Sequence, residues 1–165
     1  MADAATAEAL IALGGNVGDV PATFDKAIAL LCEGPSLTLQ KRSANYRTPP
    51  WGVEDQPPFV NAAVAVATSL SPEQLLARMM DVEKRLGRDR ATERHWGPRT
   101  VDLDLLAYDD VTRETPELTL PHPRLFERAF VLVPLADIAP DRLVGGIRVR
   151  DALARIDTGG IVRLP

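Results

Sequence analysis

The chain has 165 residues and a mass of 17.9 kDa, a size that fits one domain, residues 1–165, around a single core. Hydrophobic residues make up 45% and charged residues 25%, a mix that excludes wholesale disorder, and no apolar run approaches the roughly 18 residues of a membrane-spanning helix. The net charge of −4, from 19 basic and 23 acidic groups, argues against broad binding to nucleic acid.

From the N-terminus, residues 1–9 are alanine-rich but carry Asp3 and Glu8 and no basic region, so they do not read as a signal peptide. Residues 9–13 form a short apolar run, predicting a strand that enters a tight turn at Gly14-Gly15-Asn16. Asp19 is placed to cap the next helix, with Pro21 in its first turn. Phe24, Ala27, Ile28 and Leu31 recur at helical spacing until Gly34-Pro35. Cys32, the single cysteine, can form neither an internal disulfide nor a thiolate metal cluster, which predicts a reducing, cytoplasmic setting. Residues 37–46 read as a second strand. Residues 59–68 are small or β-branched, as in a central strand buried on both faces.

Ser71, Pro72 and Gln74 spell an N-cap, a first helical position and a capping box. Leu75, Met79, Val82 and Leu86 supply the apolar stripe, and Gly87 ends the helix. Residues 101–108 predict another strand, turning at Asp109-Asp110 toward a hairpin partner at Val111, with 118–120 as an edge strand. Residues 124–135 read as a helix interrupted by Pro134, and 151–155 as a short last helix. The order β-α-β-β-α-β matches the ferredoxin-like, split βαβ plan: an α+β sandwich with an antiparallel sheet and helices packed on it. Two connections, 44–58 and 87–100, are long beside the usual ~4–6 residues and draw attention as functional loops.

Val101-Asp102-Leu103-Asp104-Leu105 alternates apolar and acidic residues, so on a strand both aspartates share one face. Two neighbouring carboxylates repel unless a cation lies between them or one takes a proton. With only hard oxygens at hand they suit Mg²⁺ rather than zinc or copper, and one or two ions could be held with waters and phosphates. By itself the pattern also fits a solvated strand face. It follows directly, however, on a segment from Lys84 to Arg99 with six cations and two acids. Guanidinium forks beside a carboxylate pair are what a metal-bound polyphosphate requires. Trp96 could stack on a heterocycle or fold back on the core.

In the earlier loop, Tyr46-Arg47-Thr48-Pro49-Pro50-Trp51-Gly52 leads to Phe59 and Asn61, which share a strand face. A ring and an amide side by side form a floor for a planar heterocycle, or a packed core with a local turn bond. Gly14-Gly15-Asn16-Val17-Gly18 is neither a dinucleotide fingerprint nor a Walker A loop and reads as a strand-to-helix turn. His122 stands between Pro121 and Pro123, a stiff mount for a structural imidazole or a positioned donor.

Taken together, Ala12-Leu13-Gly14-Gly15-Asn16, Tyr46-Arg47-Thr48-Pro49-Pro50, Asp55-Gln56-Pro57 with Asn61-Ala62-Ala63-Val64, Trp96-Gly97-Pro98-Arg99-Thr100-Val101-Asp102-Leu103-Asp104, and Pro121-His122-Pro123 with Arg128 and Phe130 resemble the 6-hydroxymethyl-7,8-dihydropterin pyrophosphokinases of folate biosynthesis. The resemblance implies transfer of the terminal diphosphate of ATP to the pterin hydroxymethyl group, releasing AMP. It implies two Mg²⁺ ions on Asp102 and Asp104, with Arg88 and Arg99 joining them in catalysis. ATP would meet Glu83, Arg88, Arg90, Trp96, Arg99, His122 and Arg128. The pterin would meet Thr48, Pro49, Trp51, Phe59, Asn61, Trp96, Asp102 and Phe130, with Phe59 and Phe130 as the two faces of an aromatic sandwich. Some members carry Tyr in place of Phe59 and Leu in place of Trp51. No nucleic acid, membrane or stable protein partner is expected, and the chain is expected to be a monomer.

Two other classes fit parts of the pattern. An RNA-binding ferredoxin-like module would need exposed sheet aromatics, whereas the chain has eight aromatic residues in all. A metal-dependent phosphohydrolase could use the same aspartate pair but would release phosphate or ADP rather than AMP.

Overall fold

The computed structural model describes residues 6–49, 57–87 and 100–165. Its frame is an antiparallel sheet in which β1 (Ala7–Gly15) is flanked by β4 (Phe59–Thr68) and β5 (Asp102–Tyr108). On the far side of β4 run β2 (Leu37–Arg42) and then β3 (Tyr46–Thr48), and β10 (Val162–Arg163) pairs with β3. The split βαβ order is therefore met, with the first and third strands of the plan at the centre. Residues 9–16 are all buried, which explains why β1 is continuously apolar from Ala9 to Leu13 instead of alternating.

Both faces of the sheet are covered. Ala9, Ile11 and Leu13 of β1 face α1 (Val20–Leu31) and α2 (Pro72–Arg85), packing on Phe24, Leu31, Leu75, Met79 and Val82. Leu10 and Ala12 face the opposite layer, built from α3 (Ala129–Ile138) and α4 (Val149–Leu153). A 12-residue helix such as α1 is marginal alone in water. Burying Phe24 and Leu31, at about 1.5–3 kcal/mol each, holds it in place. Asp19 caps it by accepting the Ala22 N–H at 3.2 Å. In α2 the capping box is complete: Ser71 Oγ accepts from Gln74 N–H at 3.1 Å, and Gln74 Oε1 accepts from Ser71 N–H at 2.9 Å. Among the described residues, no aromatic side chain on the strands of this sheet is exposed, as an RNA-binding platform would need.

Four expectations are corrected. The strand foreseen at 37–46 is two strands, because Ser43 turns its hydroxyl into the ladder and accepts the Ala63 N–H at 2.8 Å. That side chain does the work of a backbone carbonyl, and the edge slips in register before β3 resumes pairing at Tyr46↔Asn61. Val111 forms no hairpin with β5; Asp109, at φ 43, only turns the chain, and β6 (Arg113–Glu114) pairs instead with β7 (Thr119–Leu120) in a separate ribbon. Consequently 118–120 is not an edge of the main sheet. Pro134 does not interrupt α3, which runs through it to Ile138; the break lies at Arg128, after a 3₁₀ turn at Leu125–Glu127. Burial of Val131, Leu132, Leu135 and Ile138 offsets the roughly 3 kcal/mol that an interior proline costs a helix. The hairpin of β8 (Leu143–Val144) and β9 (Ile147–Arg148) and the pairing of β10 were not foreseen.

Candidate active site

Strand register assembles the site. Asp102 lies opposite Gly14, Gly14 opposite Asn61, and Asn61 opposite Tyr46. Cross-strand partners share a face, so these four residues form one row across β5, β1, β4 and β3. The next row is Asp104, Ala12 and Ala63. The intervening residues Leu103, Leu13 and Ala62 point the other way, into the core under α1 and α2. The alternation read from the sequence is met: Asp102 and Asp104 are half-buried neighbours on one face, while Val101, Leu103 and Leu105 are buried. Between the carboxylates and Asn61 the floor carries only Gly14, Ala12 and Ala63.

Gly14 and Gly15 are the last residues of β1 and not a turn. The turn follows, with Gly18 at φ 73. Buried Asn16 donates from Nδ2 to Pro57 O at 2.9 Å, which ties the end of β1 to the entry of β4.

Asn61 is held in one orientation. Its Nδ2 donates to Thr48 Oγ1 at 2.7 Å, and Thr48 Oγ1 in turn donates to Phe59 O at 3.5 Å. This relay turns Asn61 Oδ1 toward Gly14. Phe59, two residues before Asn61, is half-buried on the same face. Pro49 is exposed just beyond β3.

Glu83 stands on α2 with 2% of its surface exposed, and its Oε2 accepts the Leu103 N–H at 2.8 Å. β5 is the outer strand of the sheet, so this carboxylate satisfies an edge amide lying between Asp102 and Asp104. The resemblance implies a place for Glu83 beside the nucleotide, but the sequence carries no signal for this bond, which joins residues 20 positions apart.

His122 is tied to β5 by its backbone, donating N–H to Leu106 O at 2.9 Å. Its Nδ1 accepts the Arg124 N–H at 3.1 Å, which leaves Nε2 to carry the proton of the neutral ring. Burial, followed by the charge of Arg128, lowers its pKa to about 4 in spite of the opposing pull of Asp102. The imidazole is therefore neutral near pH 7. Arg128 lies over the Phe130 ring, 5.6 Å from its centroid, a cation–π contact. The start of α3 thus brings Arg128 and Phe130 to the side of the sheet where His122 senses Asp102.

Trp51, Arg88, Arg90, Trp96 and Arg99 lie outside the described residues. Among the described residues no group of three or more His, Cys, Asp or Glu side chains could hold a metal ion. Two carboxylates fit a hard cation that completes its shell with water and phosphate oxygens, as Mg²⁺ does, and not a closed zinc site.

A family model described as 7,8-dihydro-6-hydroxymethylpterin-pyrophosphokinase (HPPK) matches residues 10–140. The chain is similar to the 2-amino-4-hydroxy-6-hydroxymethyldihydropteridine pyrophosphokinase of Methylorubrum extorquens, 50% identical over 156 residues, covering 94% of this chain and 98% of that one. It is 48% identical over 130 residues to the Bacillus subtilis protein of the same name, covering 79% and 77%. Its fold is like that of Plasmodium falciparum HPPK-DHPS solved with pteroate, at a TM-score of 0.73 and 14% identity. That match covers 94% of this chain and 43% of the other, so the chain spans less than half of the solved protein.

Proposed function

The chain belongs to the 7,8-dihydro-6-hydroxymethylpterin-pyrophosphokinase family, and from that premise we propose how its residues divide the work of the reaction. The enzyme transfers the pyrophosphoryl group of ATP to 6-hydroxymethyl-7,8-dihydropterin in folate biosynthesis, giving the pterin diphosphate and AMP. One observation supports the assignment most: the row Asp102–Gly14–Asn61 sets an acidic pair and an oriented amide on one face of the sheet.

Asn61, oriented by Thr48, offers Oδ1 and its second amide hydrogen to the polar edge of the pterin, and Pro49, Trp51 and Trp96 border the ring. Phe59 and Phe130 stack on its two faces. Asp102 reaches both this pocket and the phosphates. Asp102 and Asp104 would hold two Mg²⁺ ions, which would supply neutralisation of phosphate charge and a lowered pKa for the attacking hydroxyl. His122 donates from Nε2 to a phosphate oxygen without adding charge, and Arg128 supplies a fixed cation beside it. Arg88, Arg90 and Arg99 bind the polyphosphate, and Arg88 and Arg99 stabilise the diphosphate as it transfers. Glu83 serves the nucleotide side from beneath, by holding the edge of β5 on which the aspartates stand. No side chain has to be a strong base. As the pterin oxygen bonds to the β-phosphorus, the bond from that phosphorus to the AMP oxygen breaks on the opposite side.

We read the chain as one domain acting as a cytoplasmic monomer. No described helix is long and apolar enough to cross a membrane. Product analysis tests the whole reading. AMP formed only when the pterin is present supports pyrophosphoryl transfer, whereas ADP or phosphate released without it would replace this reading by a hydrolase.

A further inference from the structure

Gly14 occupies a place where any other residue would collide with the ligand-facing amide. A Cβ built on it would lie 2.9 Å from Asn61 Oδ1, closer than real Cβ contacts come. Its backbone is ordinary strand, paired on one side with Asn61 and on the other with Asp102. Gly14 is not among the residues with positive φ, so the glycine is not needed for a turn. In a strand interior glycine is the less stable choice, by roughly 0.5–1 kcal/mol relative to alanine. The sheet itself would therefore be better served by a side chain.

We infer that Gly14 is a positioning residue for pterin recognition: the missing side chain lets the Asn61 amide lie across β1 with Oδ1 presented to a hydrogen-bond donor of the ligand. The inference rests on the assignment of Asn61 to the pterin pocket. Asn61 is 7% exposed and tethered to Thr48 at 2.7 Å, so its amide cannot swing from a Cβ without giving up that bond. The damage from a methyl group at position 14 falls on the amide and leaves the ladder intact. Ala12 and Ala63, one row further on, continue the same strip of small residues toward Asp104.

The test is a double-mutant cycle read by fluorescence titration with 6-hydroxymethylpterin, alongside KM for ATP. Gly14→Ala should weaken pterin binding by about tenfold or more, the worth of one well-made hydrogen bond, and leave KM for ATP within about twofold. Asn61→Ala should weaken it similarly. The double variant Gly14→Ala/Asn61→Ala should bind no worse than Asn61→Ala, since sites that act through one another are not additive. Effects that multiply would overturn the inference, for Gly14 would then touch the ligand or the fold on its own account. Undiminished pterin binding in Gly14→Ala overturns it as well, while the pocket stands. If instead Asn61→Ala binds pterin normally, the pocket assignment itself falls and takes the inference with it. Should Gly14→Ala not fold, recovery of a folded protein in the double variant supports the clash, and failure to recover refutes it.

Discussion

Glu83 accepts the backbone N–H of Leu103 at 2.8 Å, and Leu103 is the residue between the two aspartates of β5. The carboxylate reaches the strand from α2, across the face opposite to the one that carries Asp102 and Asp104. An edge amide buried without an acceptor costs about 1–3 kcal/mol, so this contact fixes the segment on which the acidic pair stands. Glu83→Gln keeps a carbonyl oxygen for the amide and should retain turnover within about threefold. Glu83→Leu removes the acceptor at similar volume and should lower stability by about 1–3 kcal/mol, with turnover falling further than in the glutamine variant. Thermal unfolding and kcat of both variants check this. Equal loss in the two, concentrated in KM for ATP, would mean that the carboxylate meets the nucleotide directly.

Asp102 and Asp104 are tested by separate changes to asparagine, which preserve size and remove charge. Each should reduce kcat by about a thousandfold or more, the scale of losing a charge that organises phosphoryl transfer. Unfolding midpoints, measured in parallel, separate this loss of chemistry from a loss of folded protein. A variant turning over near the unmodified rate at ordinary Mg²⁺ would show that the pair does not carry the phosphate chemistry.

What the sequence disclosed depended on how local the physics was. The capping box at Ser71 and Gln74 and the alternation around Asp102 involve neighbours within four residues, and each was readable. Tyr46 to Asp137 and Glu83 to Leu103 join residues 91 and 20 positions apart, and no spacing rule announces such bonds. Ser43 broke the expected edge strand because a hydroxyl competed with the backbone for a ladder hydrogen bond, a choice that only the opposite strand decides. Pro134 misled for the converse reason: helix propensity is a weak term against four buried apolar side chains. At Gly14 the local pattern of two glycines suggested a turn, while the actual requirement was room for Asn61 on the adjacent strand.

His122 gives a pH signature. Its folded pKa of about 4 lies below the ordinary 6.5, so the unfolded chain binds the proton more readily over that interval. The stability it contributes is present above pH 6.5 and is lost as pH falls toward 4. The chain has two histidines, His95 and His122, so NMR titration with a His95→Gln variant isolates the imidazole of interest. Its resonances should stay constant from pH 8 to about 5.5 and move only below that. A midpoint near 6.5 would mean that the ring is solvated and charged in half the molecules at that pH, and the neutral-donor role would fail.

The hydroxyl of Tyr46 donates to Asp137, with both carboxylate oxygens at 2.8 Å, and Asp137 Oδ2 also accepts the Ala44 N–H at 3.2 Å. The pair pins β3 to α3, and β3 carries Thr48, the residue that orients Asn61. Burial first, and then the hydrogen bond and charge of Asp137, push the Tyr46 phenol up to about 12. A raised phenol pKa favours the protonated form in the folded state. Its contribution is thus complete below about pH 10 and declines as pH rises from 10 through 12. Tyr46→Phe should lower stability at pH 7 by about 1.5–3 kcal/mol, the worth of a hydrogen bond to a charged group, and should flatten the alkaline decline. Urea unfolding of both proteins at pH 7 and at pH 11 measures each effect. Parallel losses at the two pH values would show that the phenol stabilises by packing alone. The link from α3 to Thr48 would then have to run through the backbone of β3.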